Sequence, residues 1–196
     1  MAEILILYYS RGGSVAKLAR LLARGVEEAG CTSRLRTVPP VAPVTTLAAP
    51  PVPDSGAPYV EARDLSECDG LLLGSPTRFG IMAAPLKHFI DGLGAEWVSG
   101  TLAGKPAAVF TSTGTMHGGQ EATLLSMILP LLHHGALVVG IPYTEAALHS
   151  TRSGGTPYGA SHVAGHDDDP QPSDEEALLA RALGRRVAAV AAKLGA

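Results

Sequence analysis

The chain predicts a doubly wound α/β domain with a five-stranded parallel sheet. Two observations carry this fold class. Residues 4–9, 70–74 and 106–110 are apolar almost throughout, as strands covered on both faces must be. Each of these runs leads into a polar, glycine-bearing loop, and apolar residues at helical spacing follow it. The alternation continues along all 196 residues without a repeat, so one domain is expected over 1–196.

The first strand, 4–9, ends in Ser10-Arg11-Gly12-Gly13-Ser14, and Val15, Leu18, Ala19, Leu22 and Val26 mark a helix to about Glu28 with Gly30 at its C-terminal end. Residues 33–38 read as a second strand. Residues 39–58, dense in proline and alanine, read as an irregular surface excursion before a short helix at 60–67. The third strand, 70–74, ends in Ser75-Pro76-Thr77-Arg78-Phe79-Gly80. Pro85 then opens a helix that carries Leu86, Phe89, Ile90 and Leu93. The fourth strand, 106–110, ends in a loop over 111–119, and a helix follows at 120–133. Residues 137–141 are the fifth strand. A long polar segment at 142–172 precedes the last helix, which the Ser173-x-x-Glu176 capping box opens.

Composition narrows the function. A net charge of −3 leaves no basic footprint for nucleic acid. No apolar run reaches membrane-spanning length. Cys31 and Cys68 are far apart and near core elements, which suits two reduced thiols in a cytoplasmic protein. There is no zinc spacing, and His162, His166 and Asp167 to Asp169 read as a solvated acidic turn rather than a metal site.

Three loops fall at one sheet edge, where such folds bind ligands. Ser10, Arg11, Gly12, Gly13, Ser14 and Val15 lie at a helix N-terminus, whose free N–H groups and dipole suit a phosphate. An ordinary turn with Ser14 as N-cap is the plainer alternative. The G-x-G-x-x-G of a dinucleotide site is missing, and residues 100–105 fall one residue short of a P-loop. Pro76, Thr77, Arg78, Phe79 and Gly80 offer an apolar surface, a cation and backbone donors to a planar heterocycle. Ser112, Thr113, Gly114 and Thr115 would follow its other edge. One phosphate and one planar redox ring describe FMN.

At this point the motifs resemble a family. Tyr8-Tyr9-Ser10, residues 75–80, Ser112-Thr113-Gly114-Thr115 with Gly118-Gly119-Gln120-Glu121, His133-His134-Gly135 and residues 154–160 together resemble the WrbA-type NAD(P)H:quinone oxidoreductases of the flavodoxin-like superfamily. The resemblance implies FMN, a strand order of 2-1-3-4-5, a homotetramer with active sites at subunit contacts, and two-electron reduction of quinones by NADH or NADPH. Ser10 to Val15 would hold the phosphate, residues 76–80 the ring, and Ser112 to Thr115 with Met116 and His117 the ribityl chain and ring edge. His134, rather than His133, would approach the flavin from another subunit, and Trp97 would stand on the substrate side. Arg78 would hold the flavin's carbonyl edge or pair with an acid. His134 would bond a quinone oxygen or pack in an interface, and a positioning role is favoured over proton donation. Residues 154–160 are expected to pack against another subunit. Gly12 stands where many members carry tyrosine, and Met116-His117 lengthens the fourth-strand loop by one residue.

The expected activity is therefore ping-pong reduction of quinones with NAD(P)H. A one-electron carrier and a flavin-dependent regulatory binding protein are the rivals. The chain's mild acidity speaks against the carrier, whose docking surfaces are expected to be strongly acidic. Nitro or azo reduction in the same pocket is a further expectation.

Overall fold

Strand β1 (Glu3–Tyr8) runs through the middle of the molecule with Ile4, Leu5, Ile6 and Leu7 fully buried. It pairs in parallel with β2 (Thr32–Thr37) on one side and with β3 (Gly70–Arg78) on the other. Strand β5 (Pro106–Thr113) lies beside β3, and β6 (Leu137–Val138) beside the start of β5. The main path is β2-β1-β3-β5-β6, the expected order of five strands. The computed structural model describes residues 1–41, 53, 55–165 and 169–195. The expectation of an excursion over 39–58 therefore falls mostly outside the described residues. The chain returns beside the end of β2, where the Thr37 N–H donates to the Pro58 carbonyl at 2.9 Å.

Helices cover both faces. On one, α1 (Ser14–Glu28) buries Val15, Leu18, Ala19, Leu22 and Val26, the residues whose spacing marked it. Each large aliphatic group so buried stabilises the fold by roughly 1.5–3 kcal/mol. The last helix, α7 (Asp174–Lys193), lies tightly against α1. A Cβ on Gly25 would sit 2.0 Å from the Arg181 carbonyl oxygen, and one on Gly184 2.2 Å from that of Leu22. The two backbones meet so closely that only glycine fits at either point. The other face carries α2 (Ala62–Glu67), α3 (Ala84–Asp91), the short α4 (Gly94–Val98) and α5 (Gln120–His133), over a second cluster built on Leu5, Leu71, Leu73, Leu86, Leu124 and Met127.

Three expectations change. Residues 75–78 continue β3, and β4 (Ile81–Met82) folds back on Thr77 and Arg78 in antiparallel pairing. The third-strand loop is thus a hairpin with Phe79 and Gly80 at its turn, both at positive φ (53° and 82°), as two-residue hairpin turns require. Strand β5 likewise runs on to Thr113. The fifth strand is split: β6 stops at Val138, and its upper place beside β5 is taken by β7 (Ala160–Val163), which the polar composition of 142–172 concealed. The same segment holds one short helix, α6 (Ala147–Ser150). Residues 154–160, expected against another subunit, also make contacts within their own chain. The Gly154 N–H donates to Glu176 at 2.7 Å, and a Cβ on Gly159 would fall 2.2 Å from the Val109 carbonyl oxygen.

Candidate functional site

The carboxyl ends of β1, β3 and β5 open onto a cavity of about 540 Å³, within the ~300–1,000 Å³ range of small-molecule sites. Its walls come from all three anticipated loops: Arg11, Gly12 and Ser14 from the first, Thr77 and Arg78 from β3, and Ser112, Thr113 and Gly114 from β5. Ala164, just past β7, closes the remaining side.

The first loop is built to leave donors free. Gly13, at φ 92°, is the N-cap of α1, and Ser14 is the first helical residue rather than the cap. The left-handed backbone turns the chain into the helix within one residue, which a side chain would resist. Ser10 Oγ takes the Ala16 N–H at 3.3 Å. Among the described residues the N–H groups of Arg11, Gly12, Gly13, Ser14 and Val15 have no partner. Five free donors at the positive end of a 15-residue helix suit an anion such as a phosphate. Only the N–H of Val15 belongs to it, since its side chain is buried in the core.

The second wall is braced from below. Thr77 Oγ1 lies 2.5 Å from Thr123 Oγ1 on α5, and Ser75 Oγ accepts the Ala83 N–H at 2.8 Å. Arg78 donates to the Thr77 carbonyl at 2.8 Å. Phe79 is fully exposed at the hairpin tip, so packing in this chain's core is excluded for it. A bulky residue at positive φ is an outlier, held here by the β3–β4 pairing. The third wall is buried up to Thr113, whose Oγ1 donates to the Thr115 carbonyl at 2.9 Å. Gly114, Thr115, Met116 and His117 are exposed above it.

Arg11 and Arg78 also line an adjoining, mainly apolar shelf of about 610 Å³ formed with Tyr9, Phe79, Ile81, Met82 and Pro85. No carboxylate lines either space. A phosphate at the α1 N-terminus and a flat ring running toward the β3 hairpin and β5 therefore fit the donor set.

Residues 3–147 match the NADPH-dependent FMN reductase family. The chain belongs to that family. It is 42% identical over 197 residues to an NAD(P)H dehydrogenase (quinone) of Caulobacter vibrioides (strain NA1000 / CB15N), covering 99% of each protein. It is 43% identical, with the same coverage, to one of Rhizobium rhizogenes (strain K84 / ATCC BAA-868). The WrbA-like flavodoxin of Agrobacterium tumefaciens superposes with a TM-score of 0.72 at 22% identity, covering 98% of this chain and 99% of that one. The oxidised flavodoxin 2 of Bacillus cereus gives 0.60 at 20%, covering 98% and 99%. These two likenesses carry the fold.

In this FMN reductase family member, Trp97 and His134 do not join the three loops. Helix α5 carries 14 residues away from the rim, about 20 Å at 1.5 Å per residue. His134 follows it, and Gly135 accepts the Gly104 N–H just before β5 begins. Trp97 Nε1 donates to the His133 carbonyl at 2.8 Å, and Trp97, His133 and His134 line a separate cavity of about 480 Å³ at that far end. Burial holds the His134 imidazole below its ordinary range, outweighing the attraction of Glu96, and its Nδ1 is buried without a partner.

The solvated acidic turn is also corrected, for its histidine. His162 is 2% exposed, with Nδ1 2.7 Å from Glu176 and Nε2 2.8 Å from the Asp169 carbonyl. His166, Asp167 and Asp168 lie outside the described residues. Among the described residues no group of three or more His, Cys, Asp or Glu is placed to hold a metal, and no helix is long and apolar enough to cross a membrane. Cys31 and Cys68 are buried free thiols. Sequence reasoning missed Ala164. Ala160-Ser161-His162-Val163, the strand before it, shows no apolar alternation and lies inside a segment read as one loop, so no local signal marked it.

Proposed function

We infer that this chain is an FMN-dependent NAD(P)H:quinone oxidoreductase. The observation that carries the reading is the convergence of three loops on one cavity with five unpartnered N–H groups at the start of α1. The full-length likeness to NAD(P)H dehydrogenases (quinone) supports the activity. When bound, FMN supplies the redox chemistry, taking a hydride from NAD(P)H and returning two electrons to a quinone.

The protein's part is placement. The N–H groups of Arg11 to Val15 hold the phosphate, helped by Ser10 and Ser14. Thr77, Arg78 and the Phe79–Gly80 turn support the ring along one edge. Ser112, Thr113 and Gly114, with Thr115, Met116 and His117 above them, follow the ribityl chain and the opposite edge. Arg78 offers its guanidinium to a carbonyl edge, since no carboxylate lines the cavity to claim it. The apolar shelf beside Phe79 gives a planar substrate a surface that excludes water. Gly12 leaves the mouth without a side chain, which widens the approach for the nicotinamide.

Trp97 and His134 serve the ring of another subunit in a homotetramer. The support is their position at the far end together with exposed Leu129, which lines that cavity, and exposed Leu132 next to His133 in the chain. NAD(P)H and quinone then use one face in turn, and a ping-pong rate law follows. The test is anaerobic mixing of the FMN-loaded protein with NADH and benzoquinone. Parallel double-reciprocal lines are expected; intersecting lines would show that both substrates bind together.

A further inference from the structure

Behind the cavity, and not lining it, lies a buried charge cluster that the redox reading leaves unused. One carboxylate, Glu176, 1% exposed, gathers the N–H groups of Gly154 (2.7 Å), Val163 (3.0 Å) and Ser173 (2.8 Å), and His162 Nδ1 (2.7 Å). Glu176 is the capping-box residue of α7, so its role as cap explains the Ser173 bond alone. His162 faces that carboxylate through one ring nitrogen and the Asp169 carbonyl through the other. The Glu176 carboxylate and the Asp169 carbonyl are both acceptors, an arrangement that favours a ring donating from both nitrogens and carrying a charge. Burial opposes that charge, but the Glu176 and Asp169 bonds outweigh it and raise the imidazole above its ordinary range.

This pair fixes the chain on both sides of the cavity's outer wall. Ala164 follows β7, lines the cavity and donates its N–H to the Thr113 carbonyl at 2.8 Å. Asp169 donates back to the Ala164 carbonyl at 3.0 Å. Pro170 then stands against the phosphate loop: its Cβ is 3.7 Å from where a side chain on Gly13 would begin. Gln171 accepts Lys17 Nζ at 2.8 Å on the first turn of α1. The wall is thus held to the phosphate loop at Pro170 and Gln171, and to the protein behind it by the His162 ring.

We propose that the His162–Glu176 pair is a positioning device that presses the Ala164 and Pro170 wall onto the 10–15 loop and so sets the affinity for the phosphate end of FMN. The inference rests on the FMN reading of the cavity. It places His162 among positioning residues, since it touches neither cavity nor ligand. It also separates two ligands that differ only in the phosphate. Riboflavin needs the β3 and β5 walls but not the α1 donors, and so should be indifferent to the pair.

The experiment is a fluorescence titration of FMN-free protein with FMN and, separately, with riboflavin. The proteins are the wild type, His162→Gln and Gln171→Ala. Glutamine at 162 is neutral and cannot reach both acceptors in the geometry of the ring. In His162→Gln the FMN dissociation constant should rise about tenfold, as loss of one buried charge-assisted contact implies, while that for riboflavin stays within about twofold. Gln171→Ala, exposed and uncharged, should give a smaller loss of the same FMN-only kind. Equal losses for both ligands would overturn the inference and leave the FMN reading standing, because the pair would then be supporting the fold alone. An unchanged FMN-to-riboflavin ratio in Gln171→Ala would overturn it even if His162→Gln does not fold. A wild type that binds neither flavin would overturn both.

Discussion

At the N-terminal end of α5, Gln120 is buried and both ends of its amide are satisfied, Nε2 by the Met116 carbonyl at 3.0 Å and Oε1 by Ser161 Oγ at 2.6 Å. At its C-terminal end, His134 keeps a buried ring nitrogen without a partner, Trp97 is 55% exposed, and Leu129 and Leu132 face outward. One end of the helix is complete within a single chain. The other has the marks of a surface that finds its partner elsewhere, since buried polar atoms are seldom left unpaired and clustered exposed apolar groups mark contact sites. The lesson is that this protein holds the three-loop cavity and the Trp97–His134 cavity at opposite edges of the sheet.

Substitutions at the two ends should therefore fail in different ways. The largest effect is expected for Glu176→Gln, which strips the charge partner from a buried imidazolium. Breaking a buried pair costs about 3–5 kcal/mol, and the melting temperature should fall by about 10 °C. Trp97→Ala should leave it within about 2 °C, since a half-exposed ring loses little burial. Equal falls measured by calorimetry would erase the contrast. In activity the ranking reverses. Trp97→Ala should lower kcat/KM for benzoquinone about tenfold, a loss of about 1.4 kcal/mol of transition-state binding, with the FMN dissociation constant unmoved. Gly13→Ala should do the opposite, since a left-handed alanine costs about 1–2 kcal/mol. FMN binding weakens roughly tenfold, and turnover at saturating FMN is retained. Leu129→Glu should reduce the mass seen by light scattering if the far end is a subunit contact; an unchanged mass would place the contact elsewhere.

The smallest effect separates the two histidines. In the folded chain His162 is raised above its ordinary 6.5, so its contribution is full below that value and is lost as pH rises through the folded one. His134 is lowered, so its contribution is present above 6.5 and lost as pH falls through the folded value. For Glu176, burial is outweighed by hydrogen bonds from His162, Ser173 and Val163 that hold it at about 2 against 4.5, so its stability is full above 4.5 and is lost as pH falls toward 2. The melting temperature of the FMN-free protein should decline as pH rises above about 6.5 and through the raised value of His162. In His162→Gln that decline should be flatter, and a decline as steep as the wild type's would contradict the assignment.

Most of the cavity was legible because its parts obey local rules. A buried strand, a glycine and a helix start lie within 4–15, and the same grammar recurs at 70–86 and 106–120. Helix α5 is bounded at Gln120 and His133 as its spacing implied. What stayed hidden depends on long-range partners. Strand β7 has only four residues and earns its place from β5, 50 residues earlier in the register of Phe110 with Ala160. His162 looked like part of a polar turn because its acceptor, Glu176, was already explained as a helix cap. The Phe79 tip was legible as apolar but not as exposed, since a hairpin turn with a bulky residue at positive φ breaks the propensity rule that would predict it.

The claim beneath all of this is that the loops after β1, β3 and β5 hold FMN without help from the Trp97 and His134 end. The most direct measurement is a titration of the FMN-free Trp97→Ala/His134→Ala double variant with FMN, followed by flavin fluorescence and checked by melting temperature. Saturation at one FMN per chain with wild-type affinity, and a melting temperature raised by excess FMN, is the expected result. Free-flavin fluorescence at every ratio with an unmoved melting temperature in the double variant, while the wild type saturates, would contradict the account, as would the same failure in both proteins.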